Sequence, residues 1–371
     1  MPRKTIEQLG SVGVVRDTPA HKLADSAWSD ANNMRFSEKG AEALVGNLSV
    51  FSAASVTPLW IQAFPTVSNP HWAYGNLTAM WVFEGSTHTD ITRVSGAYTG
   101  IASERWQGSM LNGVGIFNNA VDIPQAWNVI EPGTPLIDLP NWTSTRRCKS
   151  LRSFKNFLIA LGMTDSGTAR PYRVLWSDSA DAGTVPGSWD STDPATDSRE
   201  FDLAETLDHL VDQLVLGDIN IIYKENSTWG MQFIGPPFYF RFWKILSSSG
   251  ILHRDCMVSV PSGHVVVTQN DIILHNGQRE SSQSIINAKL RRWLFSVIDV
   301  STFYNSFLIA NPLENEVLFC FPEIGETFAS LAVVWNWQYQ SCGIRELSPV
   351  TPFAAIGPLG STIDDDEAWG V

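Results

Sequence analysis

The chain has 371 residues, of which 44% are hydrophobic and 11% aromatic, with 15 Trp and 19 Phe, so it is neither disordered nor short of material for a large core. Charged residues make up only 17%, sparse for a surface that must stay wet everywhere, and part of that surface is expected to meet other subunits. The formal charge of -13 argues against a module that grips nucleic acid, because such affinity comes from Lys and Arg displacing counterions from phosphates.

The start, MPRKTIEQLG, carries no apolar stretch behind its basic residues, so no signal peptide is expected there, and a run of about 18 apolar residues that could span a membrane is nowhere present. Residues 31–50 contain two short strand patterns around a turn at Ser37 to Gly40. From residue 51 onward, short runs rich in Val, Ile, Phe, Tyr and Trp alternate with Gly, Asn, Asp, Ser and Pro clusters, which is how strands and turns read.

Hairpin-like units begin near Trp72, Val114, Phe157, Ile219, His264 and Phe307. They recur at steps of roughly 42 to 45 residues with one longer step of about 62, the spacing of one four-stranded blade. The surplus in the long step falls on residues 177–205, a Ser/Asp/Thr/Pro/Gly stretch read as an insertion loop. Several units end on a Trp leaving the third strand: Trp81, Trp127, Trp176, Trp229 and, one strand later, Trp335. A wide ring at a repeated place suits packing between facing sheets. Runs such as HVVVT and NIIY lack alternation, as strands covered on both faces do.

Helical periodicity is best over Ser281 to Val297, where Ile285, Ile286, Leu290, Trp293 and Leu294 share one face; a short connector helix is expected. The fold expected is all-β: a six-bladed β-propeller closed by an N-terminal strand, drawn from residues 31–50. Residues 1–50 form an arm, 51–350 the propeller, and 351–371 an acidic C-terminal tail around Asp364 to Glu367.

Chemistry is looked for and not assigned. Cys148, Cys256, Cys320 and Cys342 lie far apart without a CxxC, so buried thiols are expected. The His residues form no HxH or HExxH pair. There is no GxSxG, no GxxxxGK[ST], and no GxGxxG. Asp202, Glu205, Asp208 and Asp212 have helix-like spacing and read as a solvated face rather than a glycosidase carboxylate pair. The pairs Arg146, Arg147 and Arg291, Arg292 read as interface salt-bridge donors. No catalytic, cofactor-binding or metal-binding residue is named, and the chain is expected not to be an enzyme.

The opening GVVRDTPAHKLADSAWSDANNMRFSEKGAEALVGN and the central run INIIYKENSTWGMQFIGPPFYFRFWKILSSSGILHRDCMVSVPSGHVVVTQNDIILHNGQ resemble the tail nozzle proteins of podoviruses, also called phage stabilisation or head-completion proteins. The shared elements are a KEN-type turn, a Gly-Pro exit, a strand pair and a final NDIILHNG hairpin. The resemblance implies a β-propeller assembled as a homo-hexamer in the virion. That ring would sit beneath the portal and adaptor ring, hold tail fibres or spikes at its flank, and retain double-stranded DNA that passes through without sequence-specific binding. Many members of that family are longer, so a separate tail needle or plug is an expected partner. A carbohydrate-binding or carbohydrate-cleaving propeller is the other reading weighed.

Overall fold

The structure, a computed structural model, describes residues 9–38, 40–44, 51–65, 70–357 and 368–370. The strand assigned to Gly40–Ala43 and the turn before it lie at one margin of these, and the acidic residues Asp364 to Glu367 lie outside them. Two compact units divide the chain: Ser49–Arg254 with Pro352–Val371, and Met1–Leu48 with Asp255–Thr351.

The Ser49–Arg254 unit holds four consecutive four-stranded antiparallel meanders. Blade one runs Trp60–Phe64, His71–Gly75, Met80–Glu84, Thr87–Asp90, and blade two Gln107–Leu111, Val114–Asn118, Gln125–Trp127, Ile137–Asp138. Blade three runs Arg146–Phe154, Phe157–Asp165, Thr168–Trp176, Arg199–Asp202, and blade four Leu210–Leu216, Ile219–Lys224, Thr228–Gly235, Tyr239–Leu246. Second strands such as His71–Gly75 and Val114–Asn118 are buried at every position, as expected for strands sandwiched between neighbouring sheets. The first strands of blades two, three and four lie side by side, the arrangement that makes the first strand of each propeller blade the innermost.

A single carboxylate joins those three strands. Asp212 on blade four is fully buried, next to a bulge at Val211 that re-aims the side chain. Its Oδ1 accepts from Gln107 Nε2 of blade two at 2.8 Å and from Ser150 Oγ of blade three at 2.7 Å. Arg152 of blade three donates Nε to Oδ1 at 3.0 Å and a terminal nitrogen to Oδ2 at 2.9 Å. Burial pushes the Asp212 pKa up, but the charge and hydrogen bonds of Arg152 more than offset it, so the net direction is down. The expectation of a solvated face is thus overturned at Asp208 and Asp212, while Asp202 and Glu205 are exposed as expected. These residues sit on strands and turns, not a helix, and Asp208 is also drawn in, bonding the Lys224 ammonium at 3.2 Å.

The other unit contains the remaining repeats. Met257–Val260, Gly263–Val267, Ile272–His275 and Gln283–Ser284 form a fifth four-stranded blade. Phe307–Asn311, Glu316–Phe321, Ala329–Asn336 and Cys342–Thr351 form a sixth sheet, which Gly13–Val14 and Ala27–Trp28 extend to six strands. Among the described residues, blades of the four-stranded form therefore number five, not the six expected. The first five hairpins found in the sequence are second and third strands, whereas the sixth, from Phe307, is the first and second; this is why its Trp came one strand late.

Closure by residues 31–50 is not what the structure has. Among the described residues, the strands Met34–Ser37 and Gly40–Ala43 pair only with each other. That hairpin is joined to the six-stranded sheet by the Asn33 amide, which donates to the Ile344 carbonyl at 2.8 Å, and by Arg35 Nε, which donates to Glu316 Oε1 at 2.8 Å. The edge of strand Cys342–Thr351 is taken instead by Gly13, which pairs in parallel with Cys342 and, on its other side, with Ala27. Gly13 has φ +83°, and a Cβ there would stand 2.0 Å from the Cys342 carbonyl oxygen, so only glycine allows the approach.

The expected helix shrinks to Arg291–Val297. Its first turn is capped from afar: Asp17 accepts from the backbone amides of Arg292 at 2.9 Å and Trp293 at 3.0 Å, and Arg16 lies over the Trp293 ring at 4.4 Å. Ile285, Ile286, Leu290 and Leu294 are buried as their periodicity suggested. Residues 177–205 are not wholly a loop, because Arg199–Asp202 is the fourth strand of blade three and Trp189 is buried against Trp142, with ring centroids 4.6 Å apart.

Two stability experiments follow from these contacts. Asp212→Asn removes one partner of a buried ion pair and should cost about 3 kcal/mol at pH 7, read from urea midpoints. Because the folded pKa is depressed, the wild-type contribution exists above the unfolded value near 3.9 and fades as pH falls through the folded one; the variant should lack that acid dependence. His275 is the opposite kind of group. Burial, and then the neighbouring His264, hold its pKa down at about 4, and its Nδ1 accepts from the Gly277 amide at 3.2 Å. Stability from the neutral ring is complete above pH 6.5 and is lost as pH falls towards 4, and His275→Asn should be less stable at pH 7 but flatter across that window.

Candidate functional site

Blades three and four meet at an aromatic groove. Strand Arg199–Asp202 brings Phe201 to the surface, and strand Tyr239–Leu246 alternates Phe240 and Phe242 on one side with Arg241 on the other. The hairpin before it turns through Gly235, at φ +80°, and the Pro236-Pro237 cis bond to Tyr239, at φ +60°. Phe238 projects from this turn and is 72% exposed. The groove encloses about 650 Å³.

Its floor belongs to the core. Phe240 packs on Trp176 at 5.2 Å and Phe157 at 5.3 Å between ring centroids. Its rim does not, since Phe201, Ile234 and Phe238 remain exposed. Phe201 and Phe242 stack at 4.9 Å with 5° between planes. Solvent-facing rings on one contiguous surface mark an interaction site more often than isolated ones do.

Charges around the groove are fixed by pairing. Arg173 donates Nε to Asp202 Oδ1 at 2.9 Å and reaches Glu200 at 2.7 Å; the Arg173 hydrogen bond holds the Asp202 carboxyl below its usual range. Lys244 pairs with Glu205 at 2.9 Å and lies 5.1 Å from the Trp229 ring centroid. Arg241 is exposed and lies 5.3 Å from the Trp243 ring centroid.

Sequence reasoning named no partner residues and missed this groove. Its signal was present as GPPFYFRFW, a run in which alternate positions are aromatic, but the partner Phe201 lies inside the stretch read as loop. Trp127, Trp176, Trp229 and Trp335 are buried as the core reading expected, while Trp81 is only partly so. All four cysteines are free and buried, and burial pushes Cys148 and Cys320 up to about 12 and Cys342 up to about 11, which leaves the thiols unreactive.

Three members of the arginine pairs are half-buried and bonded within the chain, while Arg292 is exposed. Arg146 donates to Asp165 at 2.9 Å, Arg147 to the Val121 carbonyl at 2.6 Å, and Arg291 pairs with Asp271 at 3.4 Å. His264 and His275 are buried register partners across a hairpin, their ring centroids 5.8 Å apart; sequence spacing hid a neighbourhood that strand pairing creates. No group of three or more His, Cys, Asp or Glu side chains placed to hold a metal occurs among the described residues.

One arrangement resembles part of a hydrolase site. Ser52 Oγ lies 2.9 Å from His88 Nε2, and His88 Nδ1 lies 2.8 Å from the Tyr74 hydroxyl. The ring nitrogen that a triad gives to a carboxylate is occupied here by a phenol, which does not stabilise an imidazolium by charge. The trio ties residues 51–56 onto blade one.

No protein-family model matches the chain, and no curated protein matches its sequence. Among solved structures it is similar to apo AztD from Citrobacter koseri, at 9% identity and TM-score 0.40, covering 77% of this chain and 73% of that one. The Pan2 WD40 domain of Neurospora crassa gives 10% identity and TM-score 0.42 over 75% of this chain and 76% of that one. PorZ, a surface component of the type-IX secretion system of Porphyromonas gingivalis, gives 9% and 0.42, covering 83% of this chain and 35% of that one. Likeness at this level assigns no activity or partner.

The division between rim and floor is measurable. Phe240→Ala, in the floor, should cost about 3–5 kcal/mol in urea unfolding, whereas Phe238→Ala should stay within about 0.5 kcal/mol of wild type. A rim change as costly as the floor change would make the groove part of the core.

Proposed function

We propose that the chain is a structural, non-enzymatic component of the tail of a short-tailed bacteriophage, a homo-hexameric nozzle below the portal and adaptor ring. In this reading the chain is a β-propeller subunit of the ring. Loops meet the adaptor, fibres or spikes sit at the flank, and DNA passes through the ring without sequence-specific contacts. The net charge of -13 suits a wall that repels phosphates. The observation that carries the reading is the aromatic groove of the four-blade unit: rigid meanders present apolar rings to solvent on a chain with only 17% charged residues, as a subunit built to be covered does. The likeness of the opening and of Ile219 to Gln278 to nozzle proteins supplies the rest.

A carbohydrate-binding or carbohydrate-cleaving propeller is favoured by one observation, the exposed Phe201 and Phe238 beside Glu200, Asp202 and Glu205. Aromatic faces with carboxylates suit sugar rings, but Arg173 already engages Glu200 and Asp202.

Native mass spectrometry and negative-stain imaging of the purified chain separate the two. The nozzle reading expects six-fold rings; single compact particles that bind or degrade glycans would replace it with the second.

A further inference from the structure

The chain contains Asn-Gly twice, at Asn112-Gly113 and Asn276-Gly277, and the two pairs have unlike surroundings. Asn112-Gly113 is a two-residue hairpin turn between the paired residues Leu111 and Val114. Asn112 is half-buried there, and its side-chain nitrogen donates to the Ala180 carbonyl at 2.9 Å. Asn276-Gly277 follows the third strand of blade five, with Asn276 exposed and Gly277 at φ +79°. The Gly277 amide donates to His275 Nδ1 at 3.2 Å, and the Asn276 side-chain oxygen Oδ1 accepts from the Gln278 amide, also at 3.2 Å. An amide nitrogen that can close a five-membered ring on the preceding Asn side chain thus has a proton acceptor, and the carbonyl it would attack has a donor on its oxygen.

We propose that Asn276 is a self-modification site, converted to aspartate and isoaspartate by the Gly277 amide with His275 as the base. His275 Nδ1 takes the Gly277 amide proton, and the amide nitrogen forms a bond to Asn276 Cγ. The charge that develops on Oδ1 is held by the Gln278 N–H. The Cγ–Nδ2 bond then breaks, and ammonia leaves with the proton that His275 returns. Water opens the resulting cyclic imide at either carbonyl, so the net change is an amide and a water exchanged for a carboxylate and an ammonium ion. Burial keeps the His275 ring neutral near pH 7, which leaves Nδ1 its lone pair and places the proton on Nε2. Glycine at position 277 adopts the positive φ without strain and has no Cβ to crowd the ring closure. The product adds a negative charge to the loop between strands Ile272–His275 and Gln283–Ser284, and its isoaspartate form also lengthens the backbone there by a methylene.

Peptide mapping by mass spectrometry follows both Asn-Gly sites in the full chain incubated at neutral pH in heavy-oxygen water, which labels each opened imide. Synthetic peptides spanning 108–117 and 271–281 give the rate that each site has without the fold. General-base catalysis by a well-matched group is worth roughly 10²–10⁴-fold and a base as weak as this one returns less, so Asn276 should convert about tenfold faster in the folded chain than in its peptide, and Asn112 more slowly than in its own. His275→Asn keeps an acceptor for the Gly277 amide, since an Asn side-chain oxygen bonds the amide two residues on, but it cannot carry the proton away. With its fold verified by circular dichroism, that variant should convert Asn276 no faster than the peptide does. Folded wild type that reacts no faster than the peptide overturns the proposal, because the turn then protects the amide instead of activating it. A fold-enhanced rate that His275→Asn leaves unchanged overturns it as well, since the base is then another group. The wild-type ratio of folded to peptide rate needs no variant and decides the case if His275→Asn does not fold.

Discussion

The four-blade unit depends on how separate sheets are held in register, and the Asp212 carboxylate sets that register for three of them. Ladder hydrogen bonds act within each sheet, and apolar rings between sheets hold without direction. A buried carboxylate has no such freedom: it must find donors or pay for its desolvation. Gln107, Ser150 and Arg152 supply them from blades two and three. Sliding one blade past another would strand the charge, so the same interaction that costs desolvation enforces a single arrangement.

Much of the fold is legible in the sequence, for a physical reason. Strand pairs joined by short turns are local, and their buried strands lack alternation, so the hairpins from Trp72, Val114, Phe157, Ile219 and His264 can be read directly. What was not legible depends on contacts between distant residues. The solvated reading of Asp208 and Asp212 failed because Lys224 and Arg152 are remote in sequence. The facing pair His264 and His275 emerges only when the hairpin register is known. Gly13 at the edge of strand Cys342–Thr351 could not be found from either end alone, and the hairpin of residues 31–50, though its turn was read correctly, had no reason in its own sequence to leave the sheet edge to another segment. The aromatic groove was half visible as GPPFYFRFW, and its other wall was hidden by turn-rich neighbours.

The groove also shows why hydrophobicity alone does not reveal function. Phe240 and Phe238 stand two positions apart, one closing the interior and the other facing water. Strand alternation would put both on one face, and it is the turn through Gly235 and Tyr239, both at positive φ, that separates them. The core tolerates no loss at the first, while the fold has no need of the second, which leaves it available for association.

The parallel seat of Gly13 beside Cys342 has a consequence for how the molecule is made. A chain leaving the ribosome presents residue 13 long before residue 342 exists, and Asp17 likewise waits for the amides of Arg292 and Trp293. The Ser49–Arg254 unit, whose four meanders are contiguous, can assemble in order during synthesis, whereas the unit built from both flanks must keep its early half unpaired until the late half arrives. Translation that stops shortly before Cys342 would thus release a well-formed middle with a frayed beginning, a distinction that limited proteolysis of nascent chains would make visible.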